Sequence, residues 1–478
     1  VTSSIEMKLS YDVRTFKTEV YKGKRTTSYR VRWSVAGVRF KETFATKKLA
    51  ESFLAKLTTA AREGTAFDVA SGLPLPMAKD LHRRSWYRHA CEYVDLKWPR
   101  ISPGHRRGIS ETLTQATFAL LTTDRGRPAD AAIRVALHSW AFSRANRGGL
   151  DIADADPPAG IAPVIRWLES NTADLSEFAD SAVVRRVLNQ LALRQDGKAT
   201  SASTIARRRA TFHGALQYGV ELKYFVVNPM ESISWAAPRQ DDEVDRRVLA
   251  NPTQIKSLLG AVRTIYPSLE AFYGGMYYAA MRPAEVRHLA RHHLHLPDDE
   301  SEWGELLLDG STQQTGQAWS DTGAVREDRP LKHRSERSTR AVPIYPEYCA
   351  LLRRHLELFG TGPDGRLFVT RTGPFGHVVP LVEYSNPVHP NTSTRFWDKA
   401  RKKALSEEQY ASPLARRPYD LRHAGVSLWL NAGVPATQVA EWAGHSVKVL
   451  LQVYAGCIDG QDEAARRRIA AALAGDAA

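Results

Sequence analysis

The sequence predicts a multidomain α+β chain. It has a small N-terminal three-stranded sheet with one helix, a helical middle region, and a mixed, mainly helical C-terminal block with a small antiparallel sheet. Three observations predict this. At roughly 150 residues per domain, 478 residues give about three domains. Residues 29–41 alternate with period two, whereas apolar residues between 183 and 220 recur at helical spacing. Two stretches, 65–80 and 236–250, carry Gly, Pro and acidic residues and read as linkers. The expected domains are therefore 1–64, 81–235 and 251–478.

Composition narrows the function classes. Hydrophobic residues make up 43% and charged residues 25%, ordinary for a soluble globular protein. The charge balance is not ordinary. Lys and Arg number 66 against 52 Asp and Glu, a net of +14, and Arg outnumbers Lys by 48 to 18. Such an excess favours a polyanionic partner, nucleic acid or an anionic membrane surface. No apolar stretch approaches the ~20 residues of a membrane span. The first thirty residues hold no signal-peptide h-region. Cys91, Cys349 and Cys457 are far apart and odd in number, which excludes a disulfide framework and a clustered cysteine zinc site. A reducing cytoplasm is the expected setting.

The first fifty residues hold 12 Lys and Arg against 4 Asp and Glu, a net of +8 and more than half the excess. Tyr29, Val31, Trp33 and Val35 alternate with Arg30, Arg32 and Ser34. After an Ala36-Gly37 turn, Val38 and Phe40 alternate with Arg39 and Lys41. The run Phe16 to Tyr21 supplies a third strand. Thr46 reads as a helix N-cap before an apolar stripe of Leu49, Phe53, Leu54 and Leu57. A helix on the apolar face leaves Arg30, Arg32, Arg39 and Lys41 to meet phosphates or a major groove. A solvated strand face is the ordinary alternative.

In the middle region, Val183, Val187 and Leu191 share one helix face, and Ile205, Phe212, Leu216 and Val220 share another. Pro157, Pro158 and Pro163 interrupt the segment. Arg207, Arg208 and Arg209 form a basic run, with Arg207 and Arg208 as candidate DNA contacts beside the alternative of a solvated face. Asn228-Pro229 ends the region.

The C-terminal block carries four separated signals. In Met281-Arg282-Pro283-Ala284-Glu285, Pro283 suits the first position of a helix. Arg282 then sits at a helix mouth suited to phosphate, with Glu285 near enough to orient its guanidinium. Next, Leu331-Lys332-His333-Arg334 precedes a strand at Arg340 to Ile344, whose partner is the strand Glu305 to Leu308. Lys332 then lies at or near a hairpin turn. In Tyr419-Asp420-Leu421-Arg422-His423, i, i+3 spacing puts Tyr419 and Arg422 on one helix face. That helix stops at Gly433, and a short one opened by Pro435 follows. Last, Gly444 suits a left-handed helix stop, His445 projects from the turn, Ser446 caps the next helix, and Tyr454 lies nine residues after His445. Taken singly, each has an ordinary reading: a structural Arg–Glu pair, a loop lysine, a turn histidine, a core tyrosine. His288, His292, His293 and His295 are crowded, but no Glu follows His288 in the zinc-protease manner and no cysteine is near. No metal and no cofactor is expected.

In order, the signals read Arg, Lys, Tyr-x-x-Arg, Gly-His, Tyr. This set resembles the tyrosine recombinase (phage integrase) family, whose catalytic domain carries Arg, Lys, His-x-x-Arg, Gly-His and a nucleophilic Tyr nine residues after that His. The resemblance covers about 251–460 and extends more weakly to the helical core-binding and basic arm-binding regions before it. It implies catalytic roles for Arg282, Lys332, Tyr419, Arg422, His445 and Tyr454, supported by Glu285. Tyr419 stands where the family usually has His, and Ala280 where a Gly commonly stands. A polar loop over 309–329 separates the strands around Lys332.

The resemblance implies a site-specific integrase that cleaves and rejoins DNA through a 3′-phosphotyrosyl link, without metal or ATP, for a phage or other mobile element. It further implies double-stranded attachment sites in a bacterial cytoplasm or nucleoid. A homotetramer on DNA would exchange the amphipathic tail Glu463 to Leu473, for which intramolecular docking is the alternative. An excisionase and a host DNA-bending protein are partners of the kind it allows. A type IB topoisomerase and a catalytically silent DNA-binding regulator of the same fold are the competing readings. No motif supports a membrane partner.

Overall fold

The computed structural model describes residues 8–22, 27–77, 84–194, 197–235, 243–332, 338–370 and 386–458, with 466–467, 469–470 and 473 beyond them. The chain packs as two units, Val1–Arg239 and Gln240–Ala478, taken here in turn.

In the first unit, strand β4 (Thr27–Val35) is the centre of the N-terminal sheet. β5 (Val38–Phe44) returns along one edge through Ala36 and Gly37, both at positive φ, as a two-residue hairpin turn requires. The opposite edge is shared by β2 (Val13–Thr15) and β3 (Glu19–Lys22). The expected strand Phe16 to Tyr21 is shortened to β3, and β2 precedes it as a strand not expected, giving four strands in this sheet among the described residues. Alternation holds: Val31, Trp33 and Val35 are buried, while Arg32, Arg39 and Lys41 are exposed on the other face and Arg30 is half-buried. Arg32 also pairs with Glu19.

Helix α1 (Lys47–Arg62) begins where Thr46 accepts a hydrogen bond from the Leu49 N–H. Its buried positions are Ala50 and Leu57, with Phe53 and Leu54 beside them. Leu49 is 55% exposed, against expectation. The 50/53/54/57 spacing defines the inward stripe, and Leu49 lies about 100° off it.

The expected linker 65–80 is in its described part a piece of this core. β6 (Phe67–Asp68) pairs with β1 (Leu9–Ser10), Phe67 is fully buried, and the Trp33 indole donates to the Gly72 carbonyl. Apolar Phe67 and Leu73 outweigh the neighbouring turn residues. Residues 78–83 lie outside the described residues.

The helical region contains α2 (Trp86–Lys97), α3 (Pro103–Ala119), α4 (Asp130–Ala136), α5 (Ala162–Asn171), α6 (Ser181–Leu191) and α7 (Ala202–Glu221). Val183, Val187 and Leu191 are buried on α6, as are Ile205, Phe212 and Leu216 on α7. Asn228 ties the exit, donating to the His213 carbonyl and Gln217 while accepting from the Met230 N–H. Of the candidate contacts here, Arg207 is exposed. Arg208 instead donates to the Leu191 and Leu193 carbonyls at 2.9 and 2.7 Å. It closes the C-terminus of α6, where free carbonyls attract a cation.

The second unit contains α8 (Pro252–Ile265), α9 (Glu270–Tyr278) and α10 (Pro283–His288), then β7 (Leu294–His295) and β8 (Gly304–Leu308). β9 (Gly310–Gln314), β10 (Arg326–Pro330) and β11 (Arg340–Ile344) follow. α11 (Pro346–Phe359), α12 (Pro390–Ala404), α13 (Glu407–Ala411), α14 (Asp420–Asn431), α15 (Ala436–Ala443) and α16 (Val447–Tyr454) complete it. β11, β8 and β7 form an antiparallel sheet with Arg340 opposite Leu308. The expected loop 309–329 is largely a hairpin, β9 paired with β10 from Gly310/Pro330 to Gln314/Arg326. Its residues are polar on both faces, so no alternation marks it.

The core centres on Phe272, Tyr273, Tyr348 and Trp397. Gly425 brings α14 against α9: a Cβ there would collide with the Tyr277 carbonyl oxygen, so the backbones touch. In the expected linker 236–250, residues 236–242 lie outside the described residues. The remainder packs onto this unit: the Val244 N–H donates to the Val453 carbonyl and Ala250 is buried. The expected tail helix 463–473 falls largely outside the described residues. Among the described residues, no helix is long and apolar enough to cross a membrane.

Candidate active site

Arg282 immediately precedes α10, with Pro283 first in the helix. Its N–H donates to Glu285 Oε2 at 2.8 Å and its Nη1 to Glu285 Oε1 at 2.8 Å. Its Nη2 reaches the Gly444 carbonyl at 2.7 Å. Glu285 is held from the other side by Arg340, through contacts of 3.1 and 2.8 Å. Both Glu285 and Arg340 are 2% exposed. Burial alone would raise the Glu285 carboxyl. The Arg340 charge and hydrogen bonds, with Arg282 next, outweigh burial and hold it at about 2.

Arg340 was visible as a strand residue but not as a site residue. Its signal is the period-two face it shares with the apolar Val342 and Ile344. A lone arginine on a core face needs a buried partner.

Arg422 is 0% exposed, on the first turn of α14. Its Nη1 donates to the Ala280 carbonyl, and its Nη2 to the Ala443 carbonyl at 2.6 Å and to His445 Nε2 at 2.8 Å. Ala280 has φ +44, a conformation glycine adopts without strain, and so aims its carbonyl at Arg422.

His445 leaves the turn after α15, where Gly444 adopts φ +65. A Cβ at Gly444 would collide with the Arg340 guanidinium, so both conformation and space select glycine. Because Arg422 can only donate, His445 Nε2 must accept, which places the neutral ring's proton on Nδ1. Burial first, then the Arg422 and Arg282 charges, lower the His445 pKa to about 3. Its Nδ1 and the Arg422 Nε are buried without a hydrogen-bond partner among the described residues.

Tyr454 ends α16, is 1% exposed, and stacks on His445 with ring centroids 6.1 Å apart. Its hydroxyl lies 2.9 Å from His423 Nδ1. Burial raises its pKa above the usual phenol range. Tyr419 contacts His423 edge-on at 5.0 Å. His423 directly follows Arg422 in the sequence but is not among the candidates its motif offers. Its signals are adjacency to Arg422 and i, i+4 spacing from Tyr419.

These groups share a cleft of about 710 Å³, lined by Arg282, Lys332, Tyr419, His423, His445 and Tyr454 among others. Lys332 is exposed and reaches the cleft from just beyond β10. Residues 333–337 lie outside the described residues. Arg422 sits beneath the floor, so among the described residues the arginine facing the cleft is Arg282.

One group could hold a metal. His288, His293 and Asp309 offer ligand atoms within 4.8 Å of one another, a different set from the His288/His292 pair weighed in the sequence. His293 Nδ1 accepts from the Ala290 N–H at 2.9 Å, so its proton is on Nε2, 2.8 Å from Asp309 Oδ1. A metal at Nε2 would force that proton onto Nδ1, opposite another N–H. The residues fit a hydrogen-bonded brace between α10 and β9 better than a metal.

No family model and no curated protein matches the chain. Solved structures do. The Tn1549 transposon integrase in complex with transposon right end DNA matches with TM-score 0.43 and 18% identity, covering 61% of this chain and 84% of that one. The XerH site-specific recombinase bound to difH in a pre-cleavage complex gives 0.42 and 11%, covering 80% and 95%. A lambda integrase dimer bound to a COC′ core site gives 0.36 and 15%, covering 57% and 78%. The chain's structural neighbours are thus tyrosine recombinases and integrases.

Proposed function

We propose that the chain is a site-specific DNA recombinase that cleaves and rejoins double-stranded DNA through a 3′-phosphotyrosyl intermediate. One observation carries this reading. Arg282, Lys332, His445 and Tyr454 come from separate segments and line one cleft, with Arg422 bonded to His445 below it. Tyr454 attacks phosphorus. Arg282 and the free Nδ1–H of His445 bind the non-bridging oxygens as charge develops. Arg422 is a positioning residue that fixes the His445 tautomer and adds positive potential from below. Lys332 protonates the departing 5′ oxygen. The covalent link conserves the phosphodiester energy, so rejoining needs no ATP.

In this reading residues 1–64 hold distant arm sites through Arg30, Arg32, Arg39 and Lys41, and 81–235 clamps the core site with Arg207. The product is an integrated mobile element, made by a tetramer exchanging tails. The test uses a pool of nicked duplexes with a randomised core, screened for DNA retained on denatured protein. Wild type is expected to retain a sequence-restricted subset, and Tyr454→Phe to bind the same duplexes without retention. No retention by wild type would overturn the reading. Retention of every sequence would assign a topoisomerase instead.

A further inference from the structure

We infer that His423 accepts the Tyr454 proton as the phenol attacks phosphorus, a role that rests on the recombinase reading above. The cleft holds few groups able to do this. His445 is ruled out by its tautomer: Nε2 already accepts from Arg422, and Nδ1 carries the proton. Lys332 is assigned to the opposite side of the reaction, as proton donor to the leaving oxygen. Arginine has no acceptor. Tyr419 is a weak base, and its ring packs against His423. Among the described residues lining the cleft, that leaves His423 Nδ1, 2.9 Å from the reacting hydroxyl. Of the two groups, phenol is the stronger acid, so the O–H donates and the imidazole nitrogen accepts.

The surroundings keep the ring free to accept, at a cost in basicity that a bound phosphate offsets. The groups acting on the ring are Asp420, Arg417 and Arg422 from its own segment, Tyr419 before it, and Tyr454 from α16. Burial dominates and lowers the pKa to about 4, so the ring is neutral and able to accept at pH 7. A DNA phosphate entering the cleft adds a negative charge beside the ring. It thereby favours the imidazolium that proton transfer creates. The ring is also held still, because α14 is pinned to α9 at Gly425, two residues on.

The step balances. The Tyr454 O–H bond breaks and its proton passes to His423 Nδ1. The oxygen forms the bond to phosphorus. The bond from phosphorus to the 5′ oxygen breaks, and that oxygen takes a proton from Lys332 Nζ. Rejoining reverses each transfer.

The test is single-turnover cleavage of a nicked duplex recovered from the randomised pool. His423→Asn keeps an acceptor oxygen near the Nδ1 position but no basicity, and His423→Ala removes both. Both variants are expected to bind the duplex as wild type does and to cleave on the order of 10²–10⁴-fold more slowly. The deficit should shrink about tenfold per pH unit from pH 7 to 9 as hydroxide replaces the base. Added imidazole should restore part of the His423→Ala rate. Wild-type cleavage by His423→Asn would overturn the proposal. So would a deficit that neither pH nor imidazole moves, or loss of duplex binding in both variants, since each assigns His423 to structure alone. Failure of the recombinase reading is a separate result, in which wild type itself forms no adduct.

Discussion

Arg340→Met isolates the brace behind the cleft. Glu285 accepts four hydrogen bonds, two from Arg282 and two from Arg340, and is 2% exposed. Methionine fills similar volume but leaves the carboxylate with only the Arg282 donors. Breaking a buried pair costs roughly 3–5 kcal/mol, and the surviving Arg282 contacts point to the lower end, about 3 kcal/mol. The carboxyl's own titration gives the same size. Its fall from 4.5 to about 2, to which Arg340 contributes most and Arg282 next, is worth about 3–4 kcal/mol at ~1.4 kcal/mol per pH unit. Because the native pKa lies below the unfolded one, that contribution is complete above about pH 4.5 and is lost as pH falls towards 2. Urea unfolding at pH 7 followed by far-ultraviolet circular dichroism reads the loss. Arg340→Lys, which keeps the charge without the two-pronged geometry, should fall between the two proteins. A loss below about 1 kcal/mol for Arg340→Met would refute the argument, because a buried carboxylate stripped of two of its four donors cannot be that cheap.

Further outcomes are expected at four other residues. Gly444→Ala should cost at least ~1 kcal/mol from its left-handed conformation, displace the Arg340 guanidinium and abolish adduct formation; a wild-type adduct yield would count against the brace. His89, buried and bonded to the Ala215 carbonyl at 2.8 Å, is lowered by burial to about 4, so its contribution is complete above pH 6.5 and is lost as pH falls through 4. It should give about 3 kcal/mol of the wild-type loss between those values, and an unchanged urea midpoint between pH 7 and 5 would contradict this. Arg208→Ala should destabilise by roughly 1–2 kcal/mol without changing the salt slope of DNA binding. Arg39→Ala should leave stability alone and lower that slope by ~1, so equal slopes in the two variants would erase the distinction between them.

The sequence and the structure part company for physical reasons that individual residues show. Gly444, Ser446 and Thr46 were legible because left-handed stops and N-caps are local chemistry. The Gly304–Leu308 and Arg340–Ile344 strands were legible because one face is apolar. The β9–β10 hairpin was not, since Ser311, Thr312, Glu327 and Asp328 give no alternation to read. Arg208 was misread because a basic run does not reveal which member meets a neighbouring helix's carbonyls. Arg422 stands out in the sequence by its spacing from Tyr419, yet its burial beneath the floor depends on α9, α14 and α15 together. His423 was missed because a hydrogen bond to a residue 31 positions away leaves no local trace.

The two histidines around Tyr454 follow from that arrangement. Both are partly buried and both are neutral at pH 7, lowered to about 3 and about 4, so charge alone cannot distinguish them. Their partners do. Arg422 is a donor only, and it leaves His445 with its proton on Nδ1 and so a donor. Tyr454 brings a hydroxyl, and it turns His423 into an acceptor. On the recombinase reading proposed above, a cation that never reaches the cleft surface thereby fixes the ring that serves the phosphate and leaves the other to the nucleophile. Replacing Arg422 with Lys keeps the charge but not the planar fork that fixes the Ala280, Ala443 and His445 contacts together. The expected result is a folded protein that binds DNA and cleaves on the order of 10²-fold or more slowly, as loss of one fixed donor to developing charge costs. Measured against His445→Ala in a double-mutant cycle, the two losses should be far from additive, because they remove one donor between them. Full additivity would mean that Arg422 acts on the phosphate independently of His445.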